Sequence, residues 1–301
     1  DRIMENTLFS SQAGFMTALN GVYIELNTNE LYGRNLTAGA LDVMGQYYSV
    51  ASSSHAFYNY GGLVYTGNDE KALFDNMWQK CYAVIACCNT IIEKCDENKA
   101  GLSPVWKGAI KGEALALRAM LHFDMLRLFG PLTSELDKES IPYQTNSDQT
   151  VTPLLSGSEV VGLILDDLKN AVGLLKDTDP YFVEEEFSDT DLNYRRFRMN
   201  YFAAKGLMAR VQLWGGDKEK AAATAKEVIA EGQAEGAEFF PFVTNSEATS
   251  SNPDRVFYSE VLFGTYHSSR EKLHEDLFAP TLESTSILTL AGTARRDDLY
   301  D

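Results

Sequence analysis

The chain has 301 residues, 45% of them apolar, enough to bury one large core or two ordinary ones, which excludes a disordered protein. Its 43 acidic residues against 26 basic ones leave a net charge of -17, which repels phosphate backbones and anionic headgroups at long range and argues against a nucleic-acid partner. No apolar run is long enough to span a bilayer, and no basic-then-apolar leader opens the chain at Asp1.

Helical periodicity dominates from the first residues onward. In residues 10–26 the apolar positions Phe15, Leu19, Val22, Tyr23 and Leu26 fall on one stripe, with Ser10 or Ser11 placed to cap it. A second helix is predicted over 75–95, with Trp78, Cys81, Tyr82, Ile85, Cys88 and Ile92 at heptad-like spacing. On that helix Cys81, Cys88 and Cys95 share a face with about 10 Å between successive members, beyond disulfide reach. No CxxC pair or i,i+4 ligand set accompanies them, so the four cysteines, Cys87 included, read as thiols, largely buried.

Pro104 suits a first helical turn and opens a third helix that Gly130-Pro131 stops. This helix carries two apolar rows, one through Trp106, Ile110, Ala114, Leu117, Leu121 and Met125, the other through Val105, Ala109, Gly112, Ala116, Ala119 and Phe123. A helix apolar on two sides is sandwiched between neighbours, and the small residues of the second row permit a close crossing. A fourth helix follows the polar stretch 131–157, with Ser158 as its cap and Val161, Ile164, Leu165, Leu168, Val172 and Leu175 inward. Past a long loop, 176–197, residues 199–232 read as two helices broken at Gly215-Gly216, the second capped by Asp217. Ala204, Ala209, Ala221 and Ala225 at close-contact positions, with a GD turn, make this pair resemble a tetratricopeptide unit, and the helices at 75–95 and 105–129 look like another. Stacked hairpins bury two sides of each helix, which explains the double row. The expected fold is therefore mainly all-α, a tetratricopeptide-like helical-hairpin superhelix over 1–236, with an irregular, loop-rich portion over 237–301.

Catalytic signatures are absent. The phosphate-loop GK[ST], the GxSxG elbow, the HExxH helix and the GxGxxG turn do not occur, and His55, His122, His267 and His274 are not grouped with any nucleophile. Asp189, Asp191 and Asn193 have the spacing that opens a calcium loop, but Tyr194 stands where glycine is required and Asn200 where glutamate is, so a solvated acidic loop is the better reading. Neither a metal nor a cofactor is expected.

Aromatic residues in loop-like sequence stand out instead. HAFYNYGGLVYTGND, 55–69, sets Phe57, Tyr58, Tyr60 and Tyr65 among Gly, Asn and Ser, and FGTYHSS, 263–269, repeats the mixture with Phe263, Tyr266 and His267. A ring can stack on the apolar face of a sugar while polar neighbours bond its hydroxyls, although each such ring can equally plug a gap between helix ends.

The run Trp78 to Asn89 (WQKCYAVIACCN), the stretch GEALALRAMLHFDMLRLFGP at 112–131, RMNYFAAKGLMARVQLWGGD at 198–217 and DRVFYSEVLFG at 254–264 resemble the SusD-like (RagB/SusD) family of nutrient-binding outer-membrane lipoproteins of Bacteroidetes. ALNGVYIEL at 18–26 fits the N-terminal region of that family. The resemblance implies four tetratricopeptide-like hairpins, a lipid anchor on an N-terminal cysteine that this chain does not contain, exposure on the outer membrane, and a SusC-like TonB-dependent transporter as partner. It implies capture of oligosaccharide, or of peptide, without catalysis, and a ligand-binding portion that continues beyond RRDDLYD. Mapped onto this chain, the ligand loops are 57–69 and about 264–280, with Tyr58, Tyr60, Tyr65, Tyr266 and His267 as the expected contacts. Glu113 and Arg118 match the family's GEA..LRA pattern and are expected to fix neighbouring helices by paired hydrogen bonds; Trp78 is grouped with them as a structural residue. A scaffold that only seats a partner protein is the alternative function.

Overall fold

The computed structural model describes residues 2–148, 150–187, 190, 192, 194–234 and 237–290, and its elements are mainly helical. In chain order they are α1 (Arg2–Leu8), α2 (Gln12–Leu26), α3 (Ala40–Met44), β1 (Tyr48–Ser49), α4 (Tyr58–Gly61), α5 (Asn68–Glu97), α6 (Pro104–Phe129), β2 (Glu139–Pro142) and β3 (Leu154–Ser156). They continue with α7 (Gly157–Thr178), α8 (Tyr201–Trp214), α9 (Lys218–Gly232), β4 (Gln233–Ala234), β5 (Ala237–Glu238), α10 (Asn245–Ala248), α11 (Arg270–Leu277) and β6 (Thr289–Leu290). The strands form three antiparallel pairs, β1 with β6, β2 with β3 and β4 with β5.

The chain divides into two compact units, Asp1–Val22 with Ile85–Gly264 and Tyr23–Val84 with Thr265–Asp301. This division differs from the expected boundary between 236 and 237. Residues 237–264 join the helical unit, where two polar side chains hold them: Arg196 Nη2 donates to the carbonyls of Phe239 at 2.7 Å and Ser259 at 3.3 Å, and Asn200 Nδ2 donates to that of Leu262 at 2.7 Å.

In the first unit the helices pair as antiparallel hairpins, and side-chain contacts give the register. Between α6 and α7, Arg118 meets Asp167, while a Cβ on Gly112 would lie 2.7 Å from Leu175 Cγ and one on Gly108 2.5 Å from Thr178 Cγ2. Glycine at both positions lets the two backbones approach. On the other side, Arg118 Nη1 donates to Asn89 Oδ1 at 2.8 Å and Lys111 pairs with Asp96 at 2.5 Å, so α6 also faces α5. This sandwich accounts for the two apolar rows: Ile110, Ala114, Leu117 and Leu121 of one and Ala109, Ala116, Ala119 and Phe123 of the other are all buried. The α8–α9 hairpin is antiparallel too, with Thr224 Oγ1 donating to Gln212 Oε1 at 2.9 Å near the turn and Lys205 paired with Glu231 at 2.8 Å near the far end.

The helix ends follow from local chemistry. Ser11 Oγ accepts from Gly14 N–H at 3.2 Å, Ser103 caps α6 ahead of Pro104, Asn200 caps α8 and Asp217 caps α9. The α7 cap is Ser156, not the expected Ser158. Ser156 and Glu159 form a reciprocal capping box, whereas Ser158 is followed three residues later by Val161, which cannot complete one. The inner face of α7 shifts accordingly, with Val160 rather than Val161 fully buried. Helix α5 begins earlier than expected because Leu73, Phe74 and Met77 pack inward in the second unit.

The second unit centres on Ala40, Val43, Phe57, Tyr60, Leu277 and Leu288. Helix α11, unmarked by periodicity because only Leu273 and Leu277 are apolar, lays those two residues on this core. None of the four cysteines is bridged; Cys81, Cys88 and Cys95 are buried and Cys87 is exposed. Among the described residues no helix is long and apolar enough to cross a membrane, and no three His, Cys, Asp or Glu side chains gather to hold a metal ion. Asp189, Asp191 and Asn193 lie outside the described residues.

Candidate functional site

In the second unit, residues 27–39 form a run of tight turns: Gly33 N–H donates to Thr28 O at 3.0 Å, Asn35 N–H to Asn29 O at 3.1 Å and Gly39 N–H to Arg34 O at 2.8 Å. Gly33 is required here, since a Cβ would lie 2.2 Å from the Asn27 carbonyl oxygen. Against this loop stands His267. Its Nδ1 accepts from Ser269 N–H at 3.1 Å, so Nε2 carries the proton and donates to Gly33 O at 2.9 Å. The imidazole thereby ties segment 267–276 to loop 27–34. Between them opens a groove of about 310 Å³ lined by Asn27, Thr28, Asn29, Arg34, His267, Ser268, Ser269, Lys272, Leu273 and Asp276.

The expected contact residues fall in different places. Tyr266 precedes the groove residue His267 and is 64% exposed. Tyr58 is 43% exposed at the start of α4. Tyr60 is only 2% exposed, inside an aromatic cluster with Phe57, Tyr65 and Phe74, so its ring cannot reach a ligand. Burial, with the charges of Glu70 and Asp69, pushes its phenol up to about 12. Tyr65 is half-buried, edge-on to Phe74 at 5.5 Å, and packs against the same core. Tyr60, on α4, and Tyr65 pack into the core that Leu273 and Leu277 of α11 also join. The loop turns other side chains outward: Leu63, in left-handed backbone at φ 54, and Val64 are exposed.

Trp78, Glu113 and Arg118 are not among the residues that line this groove. Trp78 packs against Tyr82, with ring centroids 4.7 Å apart and the planes tilted by 36°. Glu113, fully buried, accepts from Arg195 Nη1 at 2.6 Å and Arg198 Nε at 3.1 Å, while Arg195 also pairs with buried Asp179 at 2.7 Å. Arg118 forms a two-pronged pair with Asp167, Nε to Oδ2 at 2.7 Å and Nη2 to Oδ1 at 2.6 Å, and Tyr143 O–H donates to the same carboxylate at 2.6 Å. Burial opposes the Arg118 charge, but Asp167 outweighs it and holds the pKa above the ordinary value. These pairs tie α6 to the segments packed against it.

Asn27, Asn29, Arg34 and Lys272 were not anticipated. The loop NTNELYGRN at 27–35 has the same polar, glycine-punctuated composition as the aromatic segments but no ring outside Tyr32 to draw notice. Its meeting with His267, more than 230 positions away, is a tertiary fact.

Residues 2–213 match the SusD-like_3 family, described as starch-binding and associating with outer membrane. SusD-like protein P2 of Formosa agariphila is 25% identical over 230 residues, 74% of this chain and 40% of that protein. A SusD-like protein of Bacteroides ovatus is 30% identical over 146 residues, 47% of this chain and 23% of its own. Among solved structures, a SusD superfamily protein from Bacteroides thetaiotaomicron superposes with a TM-score of 0.72 at 20% identity, covering 96% of this chain and 61% of its own. A SusD-like carbohydrate binding protein from Bacteroides vulgatus gives 0.61 at 23%, covering 79% and 47%. The chain thus spans less than half the length of the curated relatives it matches.

Proposed function

This chain belongs to the SusD-like family, and from that membership we propose that it captures oligosaccharide at the outer-membrane surface and hands it, without catalysis, to a TonB-dependent transporter of the SusC kind. The observation that carries the reading is the groove of the second unit. Its lining offers the Asn29 amide and hydroxyls from Thr28, Ser268 and Ser269, held in place by the His267 imidazole that ties the two segments together, with the exposed ring of Tyr266 next to it in the chain. Polar groups that converge on a concave surface fix the hydroxyls of a sugar, and an exposed aromatic face receives its C–H face. Tyr58 stays in the proposed contact set as an exposed ring, whereas the burial of Tyr60 and the packing of Tyr65 assign them to support. The proposed ligand surface therefore moves from the tyrosines of 57–69 toward loop 27–34 and segment 266–276.

Isothermal titration of the full chain against soluble oligosaccharides of different linkage tests this. Binding to one linkage class, weakened about tenfold or more by Tyr266→Ala or His267→Ala in a protein that still melts cooperatively, is the expected result. Silence across the panel from folded protein would turn the reading toward the second possibility, the seating of a partner protein. That alternative has its own observation in the exposed Leu63–Val64 pair, held outward by left-handed backbone at Leu63.

A further inference from the structure

The charges of the groove point to a narrower ligand class. Lys272 Nζ is paired with Asp276 Oδ1 at 2.8 Å, so these two side chains largely offset each other. His267 has both ring nitrogens committed to backbone groups. Arg34 differs from both. Its Nε donates to Oδ1 of buried Asn35 at 3.2 Å, and among the described residues no carboxylate lies within ion-pair distance of its guanidinium. Asn35 is itself locked by the turn, its N–H donating to Asn29 O. The guanidinium is thus pinned at one corner by a neutral amide in a groove-lining side chain, in a protein whose acidic residues outnumber its basic ones by 43 to 26. In so acidic a chain, a groove arginine without a carboxylate is a feature to be explained.

We propose that the groove takes an anionic sugar unit, one bearing a carboxylate or a sulfate ester, with Arg34 as the partner of that group. The inference rests on the reading of the chain as an oligosaccharide-capture protein and specifies the cargo. Two N–H groups of a guanidinium fork match two oxygens of a carboxylate or sulfate, and such charge-assisted bonds are shorter and stronger than neutral ones. Pinning at Asn35 lowers the entropy lost when the fork engages. Asn29 and Ser269 are then placed for the ring hydroxyls, and Lys272 reinforces the positive side of the groove in whatever measure Asp276 leaves it. The overall charge of -17 disfavours anions at long range, so selection for one must come from groups within the groove, inside the screening length of about 8 Å at physiological salt.

The test is titration calorimetry on the full chain with paired probes that differ only in charge: tetragalacturonate and its methyl-esterified form, and a sulfated carrageenan tetrasaccharide and its desulfated form. Neutral maltoheptaose and xylohexaose complete the set. The expected result is that at least one charged probe binds about tenfold or more tightly than its neutral counterpart, that Arg34→Gln abolishes this preference, and that Arg34→Lys restores part of it. Which pair responds tells carboxylate from sulfate. Equal binding of charged and neutral forms, binding of neutral probes alone, or an unchanged preference in Arg34→Gln would overturn the anionic inference while leaving oligosaccharide capture standing. Absence of binding to every probe, with the protein folded by circular dichroism, would overturn both.

Discussion

Arg118 and His122 lie one turn apart on α6, and both are polar groups buried in an apolar helix that survive through complete pairing. Removing the Arg118 guanidinium leaves Asp167 as a buried carboxylate with only Tyr143 O–H for company among these partners, at a cost of roughly 3–5 kcal/mol. Arg118→Ala is therefore expected to lower the urea midpoint strongly, and to change ligand affinity less than stability in whatever fraction stays folded. Unchanged unfolding with lost binding would contradict the structural role. His122 donates from Nδ1 to Arg118 O at 2.9 Å and accepts at Nε2 from Gln144 N–H at 3.0 Å, with its ring stacked on Tyr143. Burial, and to a lesser degree the Arg118 charge, push its pKa down to about 3, and protonating Nε2 would break the Gln144 bond. The unfolded chain takes up this proton near pH 6.5 and the folded chain does not, so stability falls as pH drops from about 6.5 toward 3, by about 1.4 kcal/mol per pH unit. Urea unfolding at pH 7 and pH 5 should show this loss, and His122→Gln should show a shallower pH dependence; equal slopes would remove His122 as the cause.

At the scale of elements, the α6–α7 crossing rests on two glycines. A valine at position 112 must displace Leu175, whose Cγ would stand 2.7 Å from the new Cβ, so Gly112→Val is expected to destabilise by roughly 1–3 kcal/mol in thermal or urea unfolding. An unchanged melting temperature would mean that the helices can separate without penalty. This crossing was legible in advance, because small residues at helical spacing opposite a second apolar row have few other uses. So were the start of α6 at Pro104 and the cap at Asp217, whose chemistry is local. The cap of α7 was misplaced by two residues because two serines compete there, and only the glutamate three positions on distinguishes them. Helix α11 was missed for a related reason: with two apolar residues in eight it has almost no amphipathic signal, and it is held by Leu273 and Leu277 on a core assembled from distant segments. Loop 57–69 shows the same limit for the site. Composition identified an unusual aromatic segment, but which ring turns inward depends on Phe74, Leu277 and Leu288, which no local pattern announces.

For the whole molecule, the proposed capture of ligand falls to exposed groups around the groove, and stability to buried cores such as the one that holds Tyr60. Tyr60 and Tyr266 make that division testable. Tyr60→Ala opens the core of the second unit and is expected to cost about 3–5 kcal/mol of stability, whereas Tyr266→Ala should leave the unfolding midpoint within about 0.5 kcal/mol of the parent and weaken ligand binding. The reverse pattern would place the ligand surface back in segment 57–69. The most direct measurement of the central claim is calorimetric titration of the full chain with an oligosaccharide panel, repeated on Tyr266→Ala and His267→Ala. The account predicts saturable binding to one linkage class that both substitutions weaken about tenfold or more without loss of folding. Binding that neither substitution alters, or no binding to any oligosaccharide by the folded chain, would contradict it.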